Sequence, residues 1–149
     1  MIKKINQWEK AVVLLLNADG WNLEHTGDGY DSWDAMGTTP NGNECVIEMK
    51  FRKTYYKEKM IEKFKYDKLI DTGKVALYFV NDPKGNYLFW LNELKNLNTK
   101  DMYCPDTTLW TKKKVLKPCY LLDEKQATVI NLNEQSKKGA WDNYFKNKK

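Results

Sequence analysis

Apolar and polar residues alternate over residues 44–51, with Cys45, Ile47, Met49 and Phe51 on one side and Glu44, Val46, Glu48 and Lys50 on the other. A period of two is the mark of a strand that sets one row of side chains against a core. Pro40-Asn41-Gly42-Asn43, just ahead of it, is rich in turn residues, so 34–53 reads as a hairpin. Pairing residues whose numbers have an even sum, for example Asp34 opposite Lys50 around an Asn41-Gly42-Asn43 loop, puts Asp34 on the face that carries Glu48 and Lys50. Upstream, the spacing predicts a helix over 5–17 with Trp8, Val12 and Leu15 in its stripe, a strand over 21–25, a turn over 26–29 and the first hairpin arm over 30–38. Downstream it predicts a helix over 56–70, buried through Met60, Ile61, Phe64 and Leu69 and stopped by Asp71-Thr72-Gly73.

The run Val75-Ala76-Leu77-Tyr78-Phe79-Val80 is continuously apolar, as in a central strand covered on both faces. The preceding helix is long enough to make the crossover to a parallel partner. A turn over 81–85 leads to a strand over 86–91. Beyond it we expect a short helix over 92–97, a polar connection over 98–108, an extended segment over 110–122 and a strand over 128–132. The whole is an α/β arrangement, with one domain over 1–135 and a basic tail over 136–149.

Composition narrows the class. With 149 residues, 42% hydrophobic and 30% charged, the chain is long enough to bury a core without disulfides. No apolar run approaches the roughly 20 residues needed to span a bilayer, and no secretory cleavage pattern follows the first apolar run, so a cytoplasmic location is expected. Cys45, Cys104 and Cys119 have neither zinc-ligand nor paired spacing, so reduced thiols are expected. The net charge of +5 is concentrated. Between Lys50 and Ile70, eight Lys or Arg residues (50, 52, 53, 57, 59, 63, 65, 68) face three acids (58, 62, 67). Such clustering attracts phosphates, although each lysine taken alone fits a solvated helix face.

Two carboxylates and an ammonium on one hairpin face are costly to ionise together unless a divalent cation or the neighbouring lysine compensates. Their chemical use is to hold a hard cation such as Mg²⁺ through oxygen while the lysine orients an attacking water. The alternative is a solvated face with an incidental cross-strand ion pair. An acidic-x-Lys tripeptide is common, and this chain has it at 48–50, 82–84, 93–95 and 123–125; only the first lies in an alternating strand with an Asp across a turn.

Asp34, followed by a turn and by Glu48-Met49-Lys50, resembles the signature of the PD-(D/E)XK nuclease superfamily, with Trp33 where the name-giving pattern has Pro. The resemblance implies a restriction-endonuclease-like fold: an αβββαβ core, a mixed central sheet flanked by helices, and here extra C-terminal strands. It implies Mg²⁺, replaceable by Mn²⁺, on Asp34, Glu48 and the Met49 carbonyl, with Lys50 at the attacking water and Glu9 of the first helix as a fourth catalytic and metal-site residue. His25, the only histidine, falls near a strand end and is either a site residue or a structural one. Arg52, Lys53, Lys57, Tyr66, Lys112, Lys113 and Lys114 are the expected nucleic-acid contacts. The partner expected is DNA, with RNA left open. A small phage or mobile-element member fits, and junction-resolving members of the superfamily are comparably small and work as homodimers. A non-catalytic nucleic-acid-binding module of the same fold and a structural or interaction protein are the other readings of the same residues.

Overall fold

Asn17, one residue from the end of the first helix, ties that helix to the sheet. In this computed structural model, which describes residues 2–27, 33–105 and 114–130, its side-chain amide donates to the Leu23 carbonyl at 3.1 Å and its carbonyl accepts from the Leu23 N–H at 2.8 Å. The helix, α1 (Ile2–Ala18), buries Val12, Val13 and Leu16, while Trp8 stays 41% exposed against Phe51. Strands β1 (Asn22–His25), β2 (Ala35–Thr38) and β3 (Glu44–Phe51) follow as an antiparallel meander. At Gly37 the β1 backbone comes so close that a Cβ would lie 2.0 Å from the Asn22 carbonyl oxygen, so only glycine fits there.

The hairpin turn differs from the expected one. Thr39 and Asn43 close a Pro40-Asn41-Gly42 loop, with the Thr39 N–H on the Asn43 carbonyl at 2.9 Å and Gly42 at φ +83°. Proline has no N–H to give to a ladder pair but suits the first turn position, and glycine takes the left-handed one. The register therefore pairs Ala35 with Ile47 and Thr38 with Glu44, two residues away from the Asp34-to-Lys50 pairing.

After β3 comes a fourth strand, β4 (Glu58–Glu62), and only then α2 (Lys63–Asp71). The single helix expected over 56–70 is thus corrected. Lys59 and Ile61 alternate inward, β4 pairs with a strand from the last third of the chain, and Phe64, placed in the expected buried stripe, is 62% exposed. A lysine at an inward position hid the strand periodicity. Helix α2 returns the chain to β5 (Val75–Asp82), which lies parallel to β3 as expected, and β6 (Gly85–Trp90) pairs antiparallel with β5. A single 3-10 turn at Leu91–Glu93 stands where a short helix was expected.

The segment expected as a polar connection is also a strand. β7 (Thr99–Pro105) pairs along its whole length with β8 (Lys114–Asp123), which in turn pairs with β4. Its polar composition reflects its edge position in the small β4-β8-β7 sheet. β9 (Thr128–Val129) completes the main sheet, whose order is β1-β2-β3-β5-β6-β9. The remainder of the expected last strand, the basic tail, Lys112 and Lys113 lie outside the described residues.

Two apolar clusters sandwich the main sheet. Val12, Val13 and Leu16 of α1 meet Cys45, Ile47 and Met49 on one face. Ile61, Leu69 and Leu122 meet Val46, Tyr78 and Val80 on the other. Both faces of β3 are therefore covered, which makes the surroundings of Glu48 drier than a solvated hairpin face. Among the described residues no helix is long and apolar enough to cross a membrane, and the cysteines are free thiols.

Beneath the second cluster lies a charge pair. Lys59 Nζ is 2.7 Å from Asp82 Oδ2 with both side chains 1% exposed, bonds to the Tyr56 carbonyl, and sits 4.4 Å and 4.3 Å from the ring centroids of Tyr55 and Tyr87. It joins the β4 sheet to the end of β5.

Candidate active site

At the start of β2 the ladder is irregular. Ala35 is paired with Ile47, yet the Asp34 N–H also donates to the Ile47 carbonyl at 2.9 Å, so two residues of one strand crowd one of the other in the manner of a β-bulge. A bulge re-aims the side chain that precedes it. Asp34 Oδ2 accepts the Met49 N–H at 2.8 Å, and Glu9 of α1 lies near enough to act on its pKa. The structure thereby brings Asp34 to Glu48 and Glu9, although not through the expected register.

Glu9 is held in turn by His25 of β1: Nε2 and Oε1 are 2.8 Å apart, each side chain 7% exposed. His25 therefore positions Glu9. Gly27 packs over this pair so tightly that a Cβ would fall 2.6 Å from Glu9 Oε1 and 2.7 Å from His25 Nε2. Gly27→Ala should push the two apart.

Burial raises the pKa of Asp34, offset in part by the Met49 N–H and by the nearby charge of Lys65. Burial, then the charge of Asp34, pushes Glu48 up to about 7. Lys50, two residues along on the same face, is drawn below its ordinary value by burial and by the charges of Lys65 and Arg52. Glu48 feels the charge of Asp34, and Lys50 feels that of Glu48. A group whose folded pKa lies above its unfolded one favours the folded state less as pH rises between the two. Without metal, stability should therefore fall from about pH 4.5 to about pH 7 as Glu48 ionises. Glu48→Gln should flatten that fall and stabilise the metal-free protein at pH 8 by on the order of 3 kcal/mol, read by urea denaturation. An unchanged pH profile would count against the charge repulsion.

The side-chain donors suit a hard cation: two repelling carboxylates, both oxygen. Among the described residues no group of three or more His, Cys, Asp and Glu is gathered for a metal. Mg²⁺ needs less, since it keeps several waters and takes one or two carboxylates. Asp34, Glu48 and the Met49 carbonyl would hold it.

Beside the carboxylates opens a cleft of about 410 Å³ between β3, β4 and the β7-β8 pair, lined by Glu48, Lys50, Arg52, Lys65 and Lys114 among others. Of the expected nucleic-acid contacts, Arg52 and Lys114 stand on this cleft, Arg52 fixed by a 3.4 Å bond to the Met60 carbonyl. Lys53 and Lys57 are exposed. Tyr66 is half-buried, edge-on to Tyr120 at 4.8 Å, so its ring packs against the small sheet rather than standing free. Lys65 was counted in the basic cluster without a role; its Nζ lies 3.5 Å from Glu48. Its position four residues before the buried Leu69, on the inward face of a helix, is the signal that could have found it.

No family model matches this chain, and no curated protein matches it. Among solved structures, it is similar to Hjc of Archaeoglobus fulgidus, a Holliday junction resolvase from an archaeal hyperthermophile, with a TM-score of 0.54 and 15% identity over 87% of this chain and 93% of that one. At that identity the likeness is one of fold, and the fold is restriction-endonuclease-like, a mixed sheet between helices.

Proposed function

We propose that this protein is a metal-dependent nuclease that hydrolyses phosphodiester bonds in DNA. The supporting observation is the convergence of Asp34 and Glu48, each raised above its own ordinary pKa by burial, with Lys50 on the same strand face as Glu48. Mg²⁺, when bound, supplies a Lewis acid and a water of lowered pKa. Asp34, Glu48 and the Met49 carbonyl would hold the ion. Glu9, fixed by His25, orients Asp34 from the other side. Lys50, its pKa drawn down, orients the attacking water and exchanges a proton more readily than an exposed lysine. Arg52 and Lys114 on the cleft, with Lys53 and Lys57 outside it, would meet backbone phosphates, so binding should weaken steeply with salt.

The fold shared with a Holliday junction resolvase supports branched DNA as the first substrate to try. Two opposed cuts need two sites, which a homodimer would supply. The test incubates the wild-type protein with linear, supercoiled and four-way-junction DNA, in Mg²⁺ and in EDTA. Products in Mg²⁺ alone are expected. Binding with no product on any of the three would leave a non-catalytic module of the same fold.

A further inference from the structure

Lys65 stands on the face of α2 that turns to the sheet. Its Nζ is 3.5 Å from Glu48 Oε1 and 4.0 Å from Glu62 Oε2, and Glu62 is held in turn by Lys117 at 3.4 Å. It is 39% exposed, so the ammonium reaches the carboxylates while its stem remains free to turn into the cleft it also lines. Its charge acts on Asp34 and Glu48 as an attraction and on Lys50 as a repulsion. Glu48 thus carries a resident counter-ion supplied by the chain itself, and Asp34 feels its charge.

Resting on the function proposed above, we infer that Lys65 is a positioning residue that occupies the cation's place beside Glu48 in the metal-free protein and, when a divalent ion displaces it, turns into the cleft to meet a DNA phosphate. Two cations cannot share Glu48 without repulsion. Metal binding therefore frees a phosphate contact, and the metal-free site keeps its acids ordered. Glu62, tied to Lys117, offers the displaced ammonium a second anion on the way. One lysine so couples metal occupancy to DNA binding.

The coupling has an unusual sign. Removing a positive charge should tighten binding of a positive ion to the free protein, whereas a merely structural role would loosen it or leave it unchanged. Mg²⁺ is titrated calorimetrically into the full chain without DNA, for wild type, Lys65→Met, Lys65→Arg and Asp34→Asn. Lys65→Met should bind Mg²⁺ about three- to five-fold tighter than wild type, the range expected of a partly exposed ion pair, and Lys65→Arg should resemble wild type. With Ca²⁺ in place of Mg²⁺, four-way-junction DNA should bind more weakly to Lys65→Met than to wild type. Equal or weaker Mg²⁺ binding by Lys65→Met, with wild type binding normally and Asp34→Asn not at all, overturns this inference and leaves the nuclease reading standing. Absence of Mg²⁺ binding by wild type overturns both.

Discussion

Asp34→Ala and Glu48→Ala should each lower Mg²⁺-dependent DNA cleavage by about 10³-fold, because each removes an oxygen ligand worth several kcal/mol of transition-state stabilisation. Lys50→Ala should cost about 10²- to 10³-fold. The three losses should differ in kind. Asp34 accepts the Met49 N–H, so its removal also frees the local backbone and should weaken Mg²⁺ binding most. Lys50 carries no ligand oxygen; its variant should bind Mg²⁺ at least as tightly as wild type while turning over slowly. Single-turnover rates at saturating Mg²⁺ separate these cases. A Lys50→Ala protein that cleaves at the wild-type rate would remove that lysine from the chemistry.

The largest effect on stability should come from a pair that takes no part in the proposed chemistry. Lys59→Met leaves Asp82 buried and uncompensated, and breaking a buried ion pair from one side costs about 3–5 kcal/mol. Asp82 also accepts the Lys84 N–H at 2.8 Å in the turn after β5, so Asp82→Ala should be as damaging. For a chain of this size the fall in Tm is about 10 °C. The double variant Lys59→Met/Asp82→Asn should regain part of the loss, since it removes the stranded charge while the amide oxygen still accepts the Lys84 N–H. Thermal melts of the three proteins test this. Full destabilisation in the double variant would mean that the pair itself, rather than its completeness, holds β4 to β5.

The central hairpin was legible because its strands obey simple periodicities. Cys45, Ile47 and Met49 face α1, the apolar run at Val75 is a central strand parallel to β3, and Glu48 and Lys50 share a face of β3. The register was not legible, because two short-range features decide it: Pro40 cannot pair, and Asp34 lies at an irregular step whose presence no alternation announces. Strand β4 was missed for a related reason. Lys59 occupies an inward position that a binary pattern reads as polar, and only Asp82, distant in sequence, makes that position tenable. β7 looked like a connection because its partner, β8, lies beyond a long intervening segment. Lys65 was one cation among eight until the helix face fixed its direction.

Crystals of the wild-type protein soaked in Mn²⁺ would test the metal site itself. Anomalous scattering should place one ion within about 2.2 Å of carboxylate oxygens of both Asp34 and Glu48. An ion bound by only one of them, or elsewhere on the surface with these two acids left hydrogen-bonded to each other's neighbours, would contradict the proposed site.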